Sequence, residues 1–162
     1  MCFHNSMSKK IEELAIRFAR KTDIIEVYKD ILEENYHISA FTNPDYPIVT
    51  NDEEIQVMKW GLIPFWTKDE KGSVKIRKMT YNARSETLFQ KPSFCEPIKH
   101  HRCLVPSTGY FEWRHEGNKK TPYFIYMKHE PVFSMAAIYD IWEDKATGEI
   151  IHSVSIVTTR AN

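Results

Sequence analysis

The spacing of apolar residues changes near residue 36 of this 162-residue chain. Before that point, apolar residues recur at the spacing of a single helix face. After it, the chain consists of short β-type runs that are interrupted by Pro, Gly, Asn and Asp. This change predicts an α+β fold in which helices precede a sheet-rich body.

The helical part is predicted within residues 8–35, as two short helices or one broken helix. The first helix carries an apolar stripe that we interpret as core packing, formed by Ile11, Leu14, Ala15, Phe18 and Ala19. Thr22 or Asp23 caps the second helix. Its apolar residues are Ile24, Val27, Tyr28, Ile31 and Leu32.

The sheet-rich part contains seven predicted strands and three predicted turns. The strands are 37–42, 56–62, 102–105, 109–114, 123–128, 133–142 and 153–159. The turns are 43–47, 116–118 and 146–148, where Gly and Pro have specific backbone roles. Because no repeat or low-complexity linker interrupts the chain, we expect a single domain over residues 1–162.

Charge and hydropathy exclude broad classes of partner. Lys plus Arg and Asp plus Glu both number 22, so any nucleic-acid site must be a local patch. No apolar run approaches the ~20 residues of a membrane span. The N-terminal residues lack the apolar core of a secretory signal. We therefore expect a cytoplasmic protein that does not associate with a membrane.

The three cysteines do not form an obvious structural framework. Cys2, Cys95 and Cys103 cannot all pair with one another, and none has the Cys-x-x-Cys spacing of a metal site. We expect neither a disulfide scaffold nor a bound metal or cofactor.

The position of Cys2 gives it distinctive chemistry if Met1 is removed. An α-amine and a thiol then lie on the same residue, and such an aminothiol captures aldehydes. The amine forms an imine, and the thiol closes a thiazolidine ring. Reference pKa values of about 8 and about 8.5 leave both groups partly deprotonated near neutral pH. The alternative, which position alone favours, is an ordinary cysteine near a chain end.

An aromatic motif, WGLIPFW at residues 60–66, ends a predicted strand in a proline turn. Phe65 and Trp66 are adjacent rings, and exposed rings stack on nucleobases with about 1–3 kcal/mol per base. The alternative is that the rings belong to the core, which we favour for Trp60 but not for all three.

A polar motif, NARSET at residues 82–87, lies after the basic residues Lys75, Arg77 and Lys78. Asn82 offers a donor and an acceptor, and Arg84 presents a rigid fork that suits phosphate oxygens. A Ser85 cap that opens a helix is a structural interpretation compatible with this one.

A carboxylate, Glu112, lies among aromatic residues in the predicted strand 109–114. The strand period of two places it on one face with Tyr110 and Arg114. A carboxyl group in apolar surroundings is suited to proton transfer at neutral pH. An ion pair between Glu112 and Arg114 is the alternative.

Five fragments of the chain occur in the order found in the SOS response-associated peptidase family, which the chain resembles from its first residue to its last. They are Met1-Cys2, WGLIP at 60–64, NARSET at 82–87, GYFEW at 109–113 and TTRAN at 158–162. The resemblance implies a mixed, barrel-like sheet with flanking helices. It also implies that the protein removes its own Met1 and attaches Cys2 covalently to abasic sites in single-stranded DNA. We expect it to act as a monomer.

The resemblance also implies roles for individual residues. Cys2 is the nucleophile, Asn82 orients it or the sugar, and Glu112 handles protons. The implied DNA contacts are Phe65, Trp66, Arg77, Arg84, Ser85, Thr158 and Thr159.

Two features depart from the family pattern. The family has a catalytic His in a His-x-Arg-Met-Pro segment after the TTRAN-like motif, and this sequence stops at Asn162. We therefore expect that the C-terminal segment of the domain is missing. Phe3-His4 stand where many relatives have Gly-Arg, which removes one phosphate contact beside the nucleophile.

Two other functions remain open at this point. One is a thiol peptidase that acts on other proteins through Cys2. The other is a non-catalytic module that binds single-stranded DNA through Phe65, Trp66, Arg77 and Arg84, with affinity that falls as salt rises.

Overall fold

The computed structural model describes residues 2–21 and 35–160. The second predicted helix, with the stripe from Ile24 to Leu32, lies outside the described residues. The first helix, α1, spans Ile11–Phe18 and buries Ile11, Leu14 and Ala15. It ends one residue earlier than the stripe predicts, because Ala19 has a left-handed backbone and closes the helix.

The described strands form two sheets. The first has the order β2-β1-β7-β8, and the second has the order β3-β4-β10-β9-β6, with β5 also paired to β10. In chain order the strands are β1 His4–Met7, β2 Asn35–Ser39, β3 Asp45–Ile48, β4 Gln56–Trp60, β5 Asn82–Arg84, β6 Arg102–Ser107, β7 Gly109–Glu116, β8 Lys119–Ile125, β9 Phe133–Glu143 and β10 Ile150–Thr158.

The strands curl into a half-barrel with helices at its flanks, which confirms the predicted α+β class and the barrel-like mixed sheet. Helix α2 spans Glu70–Arg77 and α3 spans Pro97–His100. Strand β10 is parallel to both β4 and β5 and antiparallel to β9, so the larger sheet is mixed. No helix in the described ranges is long and apolar enough to cross a membrane.

Every predicted strand has an observed counterpart, but three strands were not predicted: β1, β3 and β5. The predicted strand 37–42 ends at Ser39 and continues as a 3-10 helix at Ala40–Thr42. The predicted turn 43–47 is wrong from Asp45 onward, where β3 begins. Pro47 is tolerated in β3 because this strand is the end of its sheet, where a missing N–H breaks no ladder.

Two glycines of the sequence motifs are required by space. Gly61 has φ +112°, and a Cβ there would lie 3.0 Å from Asn43 Oδ1. Gly109 allows Phe124 to approach the backbone, because a Cβ would lie 2.2 Å from the ring. A side chain at Gly109 would collide with Phe124 of β8, and one at position 61 would meet Asn43, Tyr81 and Arg77 on a backbone that L-residues rarely adopt.

A buried hydrogen-bond network ties β1 to β3 and β6. The Asn5 amide donates to the Tyr46 hydroxyl, which donates in turn to the Pro106 carbonyl at 3.0 Å. The Ser107 hydroxyl donates to Asn5 Oδ1 at 2.6 Å and accepts from the Gly109 N–H at 3.1 Å. Asn5, Tyr46 and Ser107 are at most 1% exposed. The network therefore fixes the first strand inside the protein.

We predict that Tyr46→Phe lowers the free energy of unfolding by about 1–3 kcal/mol, because both buried partners of the hydroxyl lose a hydrogen bond. Combining it with Ser107→Ala should cost less than the sum of the two single losses, since both act on Asn5. Urea unfolding measures each variant.

The matched control is Tyr123→Phe, whose side chain is 49% exposed. It should change the unfolding free energy by about 0.5 kcal/mol or less. Equal unfolding midpoints for the Tyr46 and Tyr123 variants would show that the network does not stabilise the fold.

Candidate active site around Cys2

Cys2 lies inside the protein although it is the second residue of the chain. Its side chain is 6% exposed and belongs to the main core cluster. It borders a cavity of about 240 Å³, whose other lining residues are Tyr110, Glu112, Met135, Ile156, Val157, Thr158 and Thr159. The cavity therefore brings together four residues singled out from the sequence: Cys2, Glu112, Thr158 and Thr159.

Strand pairing explains why Cys2 and Glu112 meet. Strand β1 runs antiparallel to β7, with Asn5 opposite Tyr110 and Ser6 opposite Gly109. If the same register is extended toward the N-terminus, the residues that precede β1 lie alongside Glu112. The buried network at Asn5 fixes that register, so it also fixes where Cys2 lies.

Asn82 is directed to the same side of the sheet as Cys2. In the parallel ladder between β5 and β10, Asn82 is paired with Ile156 and Ala83 with Val157. Paired residues share a face, and successive residues alternate. Ile156 packs in the core cluster of Cys2, whereas Ala83 and Val157 pack in a second cluster. Asn82 therefore faces the Cys2 side.

The amide of Asn82 is buried without a hydrogen-bond partner. Neither its oxygen nor its nitrogen has one among the residues that the structure describes. Buried polar groups are almost always satisfied in folded proteins, so an unsatisfied amide is a candidate for ligand binding. Asn82 can both donate to and accept from a bound molecule.

The environment keeps the Cys2 thiol protonated. Burial raises its pKa to about 12, and the negative charge of Glu112 adds to the rise. The pKa of Tyr110 is also raised, by burial first and then by Cys2 and Glu112. The thiol is therefore not an efficient nucleophile at neutral pH until another group accepts its proton.

The aromatic motif divides into a core ring and two exposed rings. Trp60 is 1% exposed and its indole donates to the Tyr81 carbonyl at 3.0 Å, as favoured from the sequence. Phe65 and Trp66 are 58% and 45% exposed. Their rings are thus available to stack on a ligand.

Asp140 holds the turn that carries these two rings, a role that sequence reasoning missed. It is 3% exposed, and it accepts hydrogen bonds from the Phe65 N–H and its neighbour Ile141 N–H, both at 2.9 Å. Burial raises its pKa, and His101 lies 3.6 Å away. The signal in the sequence was an acidic residue within an otherwise apolar run.

The two arginines expected to bind DNA differ in their surroundings. Arg84 ends β5 opposite Thr158, on the face of Asn82. Arg77 ends α2, and its Nε and Nη2 are buried without partners among the described residues. Burial lowers the pKa of Arg77. Thr159 follows Thr158 and donates its hydroxyl hydrogen bond to the Arg160 carbonyl.

One local interpretation from the sequence is wrong. Ser85 does not cap a helix, because it is the first residue of a 3-10 turn, Ser85–Thr87, whose cap position is Arg84 and has no side-chain hydrogen bond. Arg114 forms an ion pair with Glu116 at 2.9 Å, and both side chains are exposed at the end of β7.

Comparison with known proteins assigns the whole chain to one family. The model of a family described as "SOS response associated peptidase (SRAP)" matches residues 1–162. The "Abasic site processing protein YoqW" of Bacillus subtilis is 34% identical over 154 residues, covering 90% of this chain and 66% of the relative. The "Abasic site processing protein YMR114C" of Saccharomyces cerevisiae is 38% identical over 134 residues, covering 83% and 34%.

A crystal structure of a protein from Bacteroides thetaiotaomicron has a TM-score of 0.97 and 60% identity, covering 99% of this chain and 69% of that one. The chain thus spans two thirds or less of the length of these two sequence relatives, and about two thirds of this structure.

We predict that Cys2 and Cys103 resist alkylation by iodoacetamide in the native protein, whereas Cys95 reacts. Burial raises the pKa of both resistant thiols to about 12, so at pH 8 they should react about 100-fold or more slowly than in the denatured chain. Peptide mass spectrometry measures each rate.

Glu112→Gln should accelerate alkylation of Cys2 but not of Cys103, because it removes the negative charge that raises the pKa of the Cys2 thiol. An unchanged Cys2 rate in this variant would mean that the two side chains do not interact.

Proposed function

The chain belongs to the SOS response associated peptidase family, and from this premise we propose that it processes abasic sites in single-stranded DNA by forming a covalent thiazolidine through Cys2. The observation that carries the proposal is the cavity in which Cys2 and Glu112 lie together, on the side of the sheet that the unpartnered Asn82 amide faces. The names of relatives that process abasic sites support it.

The reaction begins when the protein hydrolyses its Met1–Cys2 peptide bond, which frees the Cys2 amine. That amine attacks the C1′ aldehyde of the ring-opened abasic sugar, and loss of water gives an imine. The Cys2 sulfur then bonds to the imine carbon while its proton moves to the nitrogen. The net change of the coupling step is one aldehyde and one aminothiol converted to a thiazolidine and one water.

The protein's own groups order these steps. Burial beside Glu112 raises the pKa of the thiol, so in this proposal the amine reacts first and the thiol keeps its proton until the imine has formed. Glu112 carries protons between the departing water, the sulfur and the nitrogen. The Asn82 amide donates hydrogen bonds to the sugar oxygens and so orients the aldehyde.

The remaining residues hold the strand. Phe65 and Trp66 stack on or wedge between bases, and Arg77 and Arg84 bind phosphate. Further hydroxyl groups contact the strand, and they belong to Ser85, Thr158 and Thr159. A chain with zero net charge binds DNA through such a local patch rather than through its overall field.

The shape of the cavity favours this function over peptide cleavage. The pocket beside Cys2 has a volume of only about 240 Å³, and the thiol is 6% exposed, so the site suits a small aldehyde better than an extended polypeptide. A purely non-covalent binder, in contrast, would leave the burial of Cys2 beside Glu112 without a role.

We predict that the full-length protein, produced with Cys2 as its first residue, forms a covalent complex with single-stranded DNA containing an abasic site. A strand containing tetrahydrofuran in its place should form none, because it has no aldehyde. Denaturing gels measure the product. Asn82→Ala or Glu112→Gln should slow formation by about 100-fold or more.

Cys2→Ser separates the two chemical steps. It retains the α-amine, so borohydride should trap its imine, but no stable product should form without the reductant. Cys95→Ala is the matched control and should react at the unaltered rate. A stable product with Cys2→Ser and no reductant would exclude the thiazolidine.

We further predict that Phe65→Ala weakens binding of single-stranded DNA by about 1–3 kcal/mol at any salt concentration, because it removes a stacking ring. Arg84→Gln should instead reduce the slope of log K against log salt by about 0.7, the contribution of one phosphate contact.

Fluorescence anisotropy measures both effects. Arg114→Gln is the matched control, since this side chain is exposed and paired with Glu116. Equal salt slopes for the Arg84 and Arg114 variants would show that Arg84 does not contact phosphate.

A further inference from the structure

A second cavity, of about 400 Å³, shares the lining residue Glu112 with the Cys2 cavity. We name it the aromatic pocket. Its lining includes Phe3, His4, Phe41, Glu112, Trp113 and Lys120.

Aromatic rings surround this pocket. Phe3 stacks on Phe41 with centroids 5.3 Å apart, and the His4 ring meets the edge of Trp113 at 4.7 Å. His37 stacks on His4 at 4.9 Å and supports it. Phe41 nevertheless remains 59% exposed, a large apolar surface open to a ligand.

Polar groups complement the rings. Glu112 supplies an acceptor at one side, and Lys120 supplies a donor at another. Lys120 lies opposite His115 in the β7–β8 ladder, and both residues line the pocket. The imidazole nitrogens of His115 therefore add further polar groups beside Lys120. A ligand that matches this lining is flat and aromatic and carries both donors and acceptors on its edge, which describes a nucleobase.

We propose that the aromatic pocket binds the base of a nucleotide adjoining the abasic residue in the same strand. The inference rests on the proposed function of Cys2. Two connections link the pocket to the Cys2 cavity: Glu112 lines both, and Cys2 and Phe3 are consecutive residues. A strand whose abasic sugar enters the Cys2 cavity therefore has its neighbouring base beside the aromatic pocket.

The pocket gives the neighbouring base a specific task. An abasic nucleotide has no base of its own by which a protein can hold it. Stacking of the adjoining base against Phe41 and Phe3 fixes the register of the strand, so that the aldehyde, rather than an intact nucleotide, faces Cys2. Recognition of the neighbour thus positions the reacting group.

The test is equilibrium binding, by fluorescence anisotropy, of single strands that contain one tetrahydrofuran nucleotide. In two further strands, the base on its 5′ side or on its 3′ side is also removed. Loss of the base on one of these sides should weaken binding by about tenfold, the effect of one stacked base. Because tetrahydrofuran cannot react, the result does not depend on the covalent step.

Phe41→Ala should weaken binding of the strand with both neighbours by the same factor, and it should abolish the difference between strands. Phe41→Leu, which retains apolar volume but not the ring, should behave like Phe41→Ala. Tyr126→Ala is the control, because its ring is 61% exposed and lies outside the pocket. Thermal melting establishes that the variants fold.

Two failures are distinguishable. If aldehyde-bearing strands form the covalent product but neither base removal nor Phe41→Ala affects affinity, the aromatic pocket is not a base site and the proposed function stands. If no covalent product forms while base removal and Phe41→Ala show the expected coupling, the base site stands and the proposed chemistry of Cys2 is wrong.

Discussion

The hydrogen-bond network of Asn5, Tyr46 and Ser107 determines where the start of the chain lies. A short N-terminal strand has little apolar surface of its own, and the first residues of most domains are loosely held. Here the buried amide of Asn5 forms hydrogen bonds with two side chains that are 41 and 102 residues away in the sequence. The strand is therefore anchored on two other strands, and Cys2 becomes a core residue beside Glu112.

This anchoring has chemical consequences. Burial makes the thiol of Cys2 a poor nucleophile in its resting state, and the charge of Glu112 strengthens that effect. The same burial places the sulfur in one cavity with Glu112, to which we assign proton transfer in the proposed reaction. In the proposed reaction the protein consequently suppresses unspecific thiol chemistry until an aldehyde has joined the neighbouring amine. Glu112 also lines the aromatic pocket, so in the two proposals one carboxylate serves both the chemistry and the recognition of the strand.

Part of this arrangement could be predicted from the sequence. Hydrophobic period and turn residues located helix α1 and seven strands. The family fragments led to the prediction of Cys2, Asn82 and Glu112 as site residues, and the structure places Cys2 and Glu112 in one cavity. Strand β3 was missed because Pro47 is typical of turns, and β1 was missed because four residues carry too little pattern. The pairing of Asn5 with Tyr46 and Ser107, the support of Phe65 by Asp140 and the sharing of Glu112 by two cavities depend on contacts between distant segments. No local pattern encodes them.

The most direct test of this account is a crystal structure of the protein, with Cys2 as its first residue, after reaction with an abasic single strand. We expect electron density for a thiazolidine that joins both the nitrogen and the sulfur of Cys2 to C1′. Asn82 should form a hydrogen bond with a sugar oxygen, and β1 should not move. Attachment of the sugar at another residue, or displacement of β1 from its partners, would contradict it.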